Sequence, residues 1–297
     1  MARIVHIGYA KSGTTFLQHK VFPGLKGIKY VGKESSKRML YPLILNAHRD
    51  LDFEQIAKGI QSNIGDHALL SEEQLTGSFF VNLAINRYDI AEGLKSLGMD
   101  KVIITIRNQR DAVPSLYSQY VHEGGVLKMK DFLSVDGAFQ SFNPRFNAAY
   151  LHYDRLIEVY QELFGKENVL VLLNEELRKD MAGCISSIET FCNATFDQSL
   201  IKGRRDNKSL DRVSLGVQRV LNRYTWNRFS PATRIIPGLT STRLRRILQG
   251  TIGKLFSSAG RINAGSEHEA LIASYRSSNK RLAALIDKDL GAFDYPM

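Results

Sequence analysis

A glycine-containing loop near the start of the chain has residue types suited to binding a phosphate group. The segment Gly8 to Thr15 follows an apolar run and precedes a helical pattern. A loop between a strand and a helix presents backbone N–H groups and the positive end of a helix dipole, and both favour an anion. Gly13 permits close approach of the backbone, Lys11 adds a positive charge, and three hydroxyls add donors: Ser12, Thr14 and Thr15. The sequence therefore predicts an anion cradle.

The order of residues in this loop differs from the order in nucleoside-triphosphate loops. Those loops read G-x-x-x-x-G-K-[ST], whereas Lys11 here precedes Gly13. The sequence also lacks the aspartate that, after an apolar strand, would hold magnesium in such proteins. A P-loop nucleotide kinase is therefore the alternative interpretation, and turnover of ATP with magnesium would favour it.

Short β-type runs alternate with helical patterns in the first part of the chain. The predicted strands are Ile4–Ile7, Ala68–Leu70, Val102–Ile106 and Val169–Leu173, with a strand-like run at Ile28–Val31. The predicted helices span 14–21, 81–97, 111–122 and 145–164. This alternation predicts βαβ units and therefore an α/β fold with a central parallel sheet flanked by helices.

The composition is that of a folded protein with its own core. The chain has 297 residues, 43% of them hydrophobic, which is enough for one large α/β domain. Cys184 and Cys192 lie in an apolar helical pattern and indicate core packing rather than a disulfide framework or a zinc site. We expect a cytoplasmic protein, because no signal peptide precedes the strand at Ile4 and no apolar run is long enough to cross a bilayer.

Positive charge is concentrated in the C-terminal third of the chain. Residues 202–262 contain 14 lysines and arginines against Asp206 and Asp211, while the net charge of the whole chain is +10. Helical patterns follow at 209–224, 242–256 and 267–290. We therefore predict a core at residues 1–205 and a basic helical C-terminal portion at residues 206–297, which belongs to the same domain and contributes to acceptor binding.

The basic C-terminal portion is open to more than one interpretation. Residues 243–256 form an amphipathic basic stretch that is compatible with a helix on an anionic membrane surface. The same pattern fits a helix that packs on the core and leaves its arginines in solvent. A nucleic-acid-binding protein is a weaker alternative, because the charge has few interleaved aromatic residues and no known binding module is present.

The run Lys11 to Thr15 reads Lys-Ser-Gly-Thr-Thr and resembles the 5'-phosphosulfate loop of sulfotransferases that use 3'-phosphoadenosine-5'-phosphosulfate (PAPS). Ala10 stands where that family usually has proline, a change that removes no ligand because proline has no N–H to donate. The resemblance implies a P-loop-like α/β fold, PAPS as co-substrate and no metal. It also implies that the donor is bound by Lys11, Ser12, Gly13, Thr14 and Thr15.

A second element resembles the family's 3'-phosphate site. Arg107 ends the predicted strand Val102–Ile106 and Ser115 lies in the next helix, as in the family pattern R-x-P-x-x-x-x-x-S, with Gln109 in place of the proline. The resemblance implies that Arg107 and Ser115 bind the 3'-phosphate. The run Lys202-Gly203-Arg204 is similar to a loop that closes over the donor in several sulfotransferases, and its simpler interpretation is a generally basic stretch.

Sulfuryl transfer needs in-line geometry, charge stabilisation at the leaving oxygen and a base for the acceptor. Lys11 suits the leaving oxygen. Glu73 follows a buried strand at the ligand-binding edge of the sheet and resembles the glutamate of the Ser-Ser-Glu element in bacterial members. Alternatively, Glu72 and Glu73 charge the first turn of the next helix. Glu34 is the competing base, because it resembles a glutamate that follows lysine in glycan sulfotransferases.

The resemblance is to bacterial sulfotransferases of carbohydrate or lipid type. It implies an acceptor hydroxyl or amine on a glycan or a lipid. An anionic acceptor, or peripheral contact with the inner face of the membrane, would involve the basic C-terminal portion.

Overall fold

The computed structural model describes residues 1–46, 50–77, 84–133, 146–197, 200, 212–224 and 265–297. The chain forms two compact units. The first contains Met1–Gln109, Ala149–Arg204 and Tyr275–Met297, and the second contains Arg110–Ala148 and Arg205–Ser274. The helical pattern at 242–256 and the run Lys202-Gly203-Arg204 lie outside the described residues. The domain boundary after residue 205 stays a prediction.

A parallel sheet of five strands forms the centre of the first unit. The strands of this unit are β1 (Arg3–Gly8), β2 (Leu25–Lys26), β3 (Lys29–Tyr30), β4 (Ala68–Ser71), β5 (Lys101–Ile106), β6 (Val169–Leu173) and β7 (Thr195–Phe196). The sheet has the order β3-β4-β1-β5-β6, and β2 pairs with β7 in a separate antiparallel ribbon. Arg3 of the central strand pairs with Ala68 on one side, and Ile4 pairs with Lys101 on the other. The predicted α/β fold with a central parallel sheet is confirmed.

Helices cover the sheet because its strands are nearly continuous apolar runs that must be buried on both faces. The helices before the second unit are α1 (Thr14–Phe16), α2 (Lys33–Leu45), α3 (Phe53–Ile64) and α4 (Arg87–Ser96). The next two are α5 (Gln109–His122), of which only the first residue belongs to the first unit, and α6 (Met129–Leu133) of the second unit. The first unit then continues with α7 (Tyr153–Phe164), α8 (Glu176–Lys179) and α9 (Met181–Cys192). The later helices are α10 (Arg212–Asn222), α11 (Gly265–Ser274) and α12 (Arg276–Ile286).

Two predicted helices begin later than the sequence pattern indicates. The helix predicted from residue 81 begins at Arg87, because Ala84 has a φ of 58°, which is incompatible with a right-handed helix. The helix predicted from residue 145 begins at Tyr153, because His152 has a ψ of 80° and so leaves helical geometry. The apolar stripe extends back through Tyr150, so its periodicity did not reveal this break.

Other predicted helices are divided or differ in type. The helix predicted at 14–21 consists of α1 and a π-helical turn, Leu17–Val21. The long C-terminal pattern at 267–290 forms two helices, α11 and α12, with Tyr275 between them. These differences change the local path of the chain but not the layers of the fold.

One face of the sheet packs on α9 and on the helical turns after the first loop. This face contributes Ile4, Leu69, Ile103 and Leu172 to a buried apolar cluster. The cluster also contains both cysteines, Cys184 and Cys192, which are free thiols. Burial raises the pKa of Cys184 to about 11 and that of Cys192 to about 12, so both are unreactive apolar packing groups.

The second unit has its own aromatic core. Tyr120 of α5 stacks on Phe132 of α6 with ring centroids 4.8 Å apart, and both are fully buried. The buried Asn222 of α10 donates to the carbonyl oxygens of Val121 at 2.7 Å and Gly125 at 2.9 Å. Within the described ranges, no helix is both long and apolar enough to span a bilayer.

Candidate active site

The loop Gly8–Thr15 leaves the carboxyl end of β1, the central strand, and leads into α1. The Tyr9 N–H donates to the Thr105 carbonyl of the neighbouring β5 at 3.0 Å. Lys11 and Gly13 both take left-handed backbone conformations, with φ of 68° and 94°. The resulting tight turn lies at the sheet edge where α/β proteins bind ligands.

Two glycines of this loop leave no room for a side chain. A Cβ on Gly8 would lie 2.1 Å from Thr14 Cγ2 and 2.4 Å from Thr105 Oγ1. A Cβ on Gly13 would lie 2.6 Å from Nδ2 of Asn174, the residue after β6. The loop backbone is therefore packed tightly against the ends of two neighbouring strands.

The hydroxyl of Ser12 faces the interior of the protein. Ser12 is fully buried, and its Oγ donates to the Tyr9 carbonyl at 2.6 Å and lies 2.7 Å from Thr105 Oγ1. The Ser12 N–H also donates to the Tyr9 carbonyl, at 3.2 Å. In this structure Ser12 holds the shape of the loop, and the donor-binding role implied for Ser12 stays a prediction.

A buried chain of hydrogen bonds continues beneath the loop from Ser12 to Gln18. Because Ser12 uses its only hydroxyl hydrogen on the loop backbone, Thr105 donates to Ser12 and accepts from His6 Nε2 at 3.5 Å. His6 Nδ1 then accepts from Ser71 Oγ at 2.7 Å, and Ser71 Oγ accepts from Gln18 Nε2 at 3.0 Å. This chain links the loop to three strands of the sheet.

His6 is neutral in this hydrogen-bond chain. It is fully buried, and burial lowers the pKa of His6 to about 3. A neutral imidazole has one donor and one acceptor nitrogen, which is the pattern that its two neighbours require.

Arg107 reaches the loop from the end of β5. Its Nη1 donates to the Lys11 carbonyl at 3.2 Å, and its own carbonyl accepts from the Tyr153 hydroxyl at 2.7 Å. Burial and the charge of Arg107 lower the pKa of Lys11, while the charge of Glu73 raises it. Two cations therefore lie close together beside one carboxylate, an arrangement that an anionic ligand stabilises.

Glu73 lies close to the loop, in a short 3-10 turn after β4. Its Oε2 accepts from Thr14 Oγ1 at 2.9 Å, and its Oε1 accepts from Lys33 Nζ at 3.3 Å. Lys33 begins α2, and the buried Ser36 one turn later accepts a hydrogen bond from the Ser71 N–H of β4 at 3.1 Å. The start of α2 is thereby fixed beside the carboxylate.

Glu72 differs sharply from its neighbour Glu73. It is only 1% exposed, and its Oε1 accepts from the Gln74 N–H at 3.0 Å, so it caps the turn. Burial is the main cause that raises the pKa of Glu72. The capping interpretation of this acidic pair therefore applies to Glu72, whereas Glu73 faces the loop.

The structure also locates the remaining predicted site residues. Thr15 is exposed in α1, and Glu34 is exposed in the first turn of α2. Ser115 lies on α5, in the second unit, and is half-buried. The roles implied for these residues stay predictions, as do those of Lys202, Gly203 and Arg204, outside the described residues.

Sequence reasoning missed the residues that support the loop from below. His6, Ser71 and Thr105 are fully buried polar residues in three strands whose other buried side chains are apolar, and His6 pairs directly with Ser71. Polar side chains near the carboxyl ends of neighbouring buried strands indicate a shared hydrogen-bond network, because each would otherwise be unsatisfied. Lys33 carried no comparable signal, since its partner Glu73 is distant in sequence.

Among the described residues, no group of three or more histidine, cysteine, aspartate or glutamate side chains is close enough to hold a metal ion. The candidate site contains a tight loop after the central parallel strand, a lysine, an arginine and a carboxylate. The fold is that of an α/β protein of P-loop-like topology, and the carboxyl edge of its sheet has groups suited to an anionic ligand.

Residues 2–214 match the sulfotransferase domain family, and the chain belongs to this family. It is therefore a sulfotransferase, an enzyme of a family that uses PAPS as co-substrate. Family membership decides against the nucleotide kinase interpretation.

Solved structures of other sulfotransferases are similar to this chain. The crystal structure of a sulfotransferase from Alicyclobacillus acidocaldarius is 16% identical, covers 99% of each chain and has a TM-score of 0.57. Mouse sulfotransferase SULT7A1 complexed with PAP is 15% identical over 97% of this chain and 88% of that one, with a TM-score of 0.43. The sulfotransferase domain from the curacin biosynthetic pathway is 13% identical over 97% and 98%, with a TM-score of 0.43. Among curated proteins, none matches this sequence.

Proposed function

We propose that this sulfotransferase transfers the sulfuryl group of PAPS to a hydroxyl or amine of a carbohydrate or lipid acceptor, by in-line displacement with Glu73 as the general base. The observation that carries this proposal is the convergence of contacts on one loop. Thr14 contacts Glu73 at 2.9 Å, and the backbone of Lys11 contacts Arg107 at 3.2 Å. An anion-binding loop, two cations and a carboxylate are thus adjacent.

In this proposal the loop and Arg107 bind opposite ends of the donor. Gly13, Thr14, Thr15 and the loop N–H groups bind the 5'-phosphosulfate, and Arg107 binds the 3'-phosphate, with Ser115 as a second ligand on sequence grounds. The lowered pKa of Lys11 supports an anionic ligand here, because a negative charge relieves the repulsion between Lys11 and Arg107. Lys202, Gly203 and Arg204 close over the donor in the same scheme.

Lys11 acts on the leaving group. As the bond between sulfur and the bridging oxygen stretches, negative charge develops on the 5'-phosphate. The Lys11 ammonium stabilises that charge, and the fixed N–H groups of the loop do so without reorganisation.

Glu73 removes the proton from the acceptor. The Thr14 hydroxyl has one hydrogen, which it donates to Glu73 in this structure. When Thr14 donates to the phosphate instead, Glu73 Oε2 becomes available for the acceptor, while Lys33 continues to orient Oε1. Glu34, exposed in the first turn of α2, lacks this link to the loop and is the competing base.

The acceptor side is assigned to the basic C-terminal portion, residues 206–297. The excess of lysine and arginine at residues 202–262 suits an anionic glycan or lipid head group. It also suits peripheral contact with the inner face of the membrane. A cytoplasmic enzyme that modifies glycan or lipid precursors fits both properties.

Calorimetric titration with 3'-phosphoadenosine 5'-phosphate (PAP) tests the donor site. Lys11→Ala and Arg107→Ala should each weaken binding by about 10- to 100-fold, because each removes a charged hydrogen-bond donor. Lys20→Ala, at an exposed lysine just beyond the loop, is the control and should bind PAP like the wild type. Arg107→Ala should also bind PAP no better than adenosine 5'-monophosphate (AMP), which lacks the 3'-phosphate.

Equal binding of PAP and AMP by the wild-type protein would contradict the assignment of Arg107. The acceptor class is tested by transfer of labelled sulfate from PAPS into a panel of glycans and lipids. If neither glycans nor lipids are labelled and another kind of acceptor is, that part of the proposal is overturned.

A further inference from the structure

The segment that carries Arg107 is held by the last residues of the chain. We call residues 107–109 the Arg107 turn and Gly291–Met297 the C-terminal tail. Asn108 Nδ2 donates to the Phe293 carbonyl of the tail at 3.0 Å, and the Asn108 N–H donates to Glu175 Oε1 at 3.1 Å. The Tyr295 hydroxyl of the tail donates to the other oxygen of Glu175 at 3.3 Å. The tail therefore holds Asn108 directly and through Glu175.

A second contact joins the turn to α12 and the tail. Gln109 Nε2 donates to Asn279 Oδ1 at 2.8 Å, and Asn279 Nδ2 donates back to Gln109 Oε1 at 3.2 Å. Asn279 Nδ2 also donates to the Pro296 carbonyl at 2.9 Å. Gln109 and Asn279 are fully buried, so this reciprocal amide pair fixes the position of both side chains.

All three residues of the Arg107 turn are thus restrained by other parts of the first unit. The Arg107 carbonyl accepts from Tyr153, Asn108 is held by Glu175 and the tail, and Gln109 is paired with Asn279. The donors of a guanidinium form a rigid planar fork, so a fixed backbone at Arg107 favours a defined geometry of phosphate binding.

We infer that the C-terminal tail, acting with Asn279, positions Arg107 and thereby sets the selectivity of the enzyme for a donor with a 3'-phosphate. This inference rests on the proposed function, in which Arg107 binds that phosphate. The loop that binds the 5' end shares one hydrogen bond with Arg107, at the Lys11 carbonyl, but it is also held by a hydrogen-bond chain of its own through Ser12, Thr105 and His6. Loosening the tail therefore affects recognition of the 3' end and leaves recognition of the 5' end intact.

The test compares affinities for PAP and AMP in the full-length protein by calorimetry. Tyr295→Phe removes one hydroxyl from a tail residue that is 3% exposed, and Asn279→Ala removes the amide pair. We expect Tyr295→Phe to reduce the preference for PAP over AMP about threefold to tenfold, as for the loss of one hydrogen bond in a network. Asn279→Ala should reduce the preference further, and AMP affinity should stay at the wild-type value in both variants.

Tyr160→Phe is the matched control. Tyr160 is fully buried in α7, and its hydroxyl has no hydrogen-bond partner among the described residues. The substitution removes the same atom from a buried tyrosine without touching the Arg107 turn, so the preference should not change. If Asn279→Ala fails to fold, Tyr295→Phe alone decides the result.

Three results would overturn the inference. If Arg107→Ala loses the preference for PAP but Tyr295→Phe and Asn279→Ala keep it, the tail has no role in selectivity and the proposed function stands. If the tail variants lose affinity for PAP and for AMP by the same factor, the tail stabilises the fold but does not set the selectivity. If the wild-type protein shows no preference for PAP, the proposed role of Arg107 fails, and the inference fails with it.

Discussion

The loop Gly8–Thr15, called the phosphate loop after the ligand proposed for it, and the Arg107 turn lie at the ends of two neighbouring strands, but they are held in different ways. The loop is eight consecutive residues whose shape depends on two glycines without room for a side chain and on buried polar residues in adjacent strands. The Arg107 turn depends on contacts with Tyr153, Glu175, Asn279 and the C-terminal tail. A contiguous motif thus faces one end of the proposed donor, and dispersed contacts support the other.

This difference separates two tasks that a donor site must perform. In the proposed function the loop side performs the chemistry, since Lys11, Thr14 and Glu73 meet there. In the same proposal the turn side recognises the 3'-phosphate through Arg107. Changes on the loop side should therefore affect the rate of transfer most, and changes on the turn side should affect selectivity between ligands.

The largest effect is expected from Glu73→Gln. Loss of the general base should slow sulfuryl transfer by about 10²- to 10⁴-fold, measured in single turnovers, while PAP affinity stays within about threefold because glutamine keeps the shape of glutamate. Glu72→Gln is the neighbouring control and should change the rate little, because Glu72 is a buried cap. A larger loss in Glu34→Gln than in Glu73→Gln would transfer the role of base to Glu34.

A smaller effect is expected from Gly13→Ala, which tests whether one residue can disrupt the loop. Its Cβ would lie 2.6 Å from Asn174 Nδ2, in a backbone conformation with a φ of 94°. The strain should weaken PAP binding by about 10- to 100-fold and should lower AMP affinity equally, since the change is at the 5' end. Gly59→Ala in α3, where no atom lies within 4 Å of the new Cβ, is the control and should leave binding unchanged. Loss of PAP binding alone would contradict the division between loop and turn.

The smallest effect on ligand binding or rate is expected at His6, beneath the loop, where the change appears as a pH dependence of stability. Burial lowers the pKa of His6 to about 3, whereas an exposed histidine titrates near 6.5. Between these values the unfolded chain binds a proton that the folded chain does not. Stability from this residue is therefore complete above pH 6.5 and is lost as the pH falls towards 3, by about 1.4 kcal/mol per pH unit.

Urea denaturation at pH 7 and pH 5 measures this contribution. His6→Asn should be less stable than the wild type at pH 7 but should lose less stability between the two values. His19→Asn, at an exposed histidine, should retain the wild-type loss. Equal losses in His6→Asn and the wild type would show that His6 is not a neutral member of the hydrogen-bond chain.

The sequence was sufficient to predict the strands of the sheet and the position of the loop, because apolar runs and contiguous motifs are local signals. It indicated Glu73 from its place after a buried strand, but not Lys33, which reaches Glu73 from another element. It also could not indicate Asn279 or Tyr295, whose partners Gln109 and Glu175 are far away in the chain. The predicted start of α7 was wrong, because the apolar periodicity of the sequence continues through the break at His152.

The position of β1 at the centre of the sheet has a consequence for the order of folding. β1 pairs with β4 through Arg3 and Ala68, and with β5 through Ile4 and Lys101, so both of its neighbours come from distant parts of the sequence. Pairings between residues so far apart carry a large entropic cost of loop closure and are typical of slow folding steps. The phosphate loop, although its residues are consecutive, is thus expected to acquire its shape late, only when the strands that surround it have assembled.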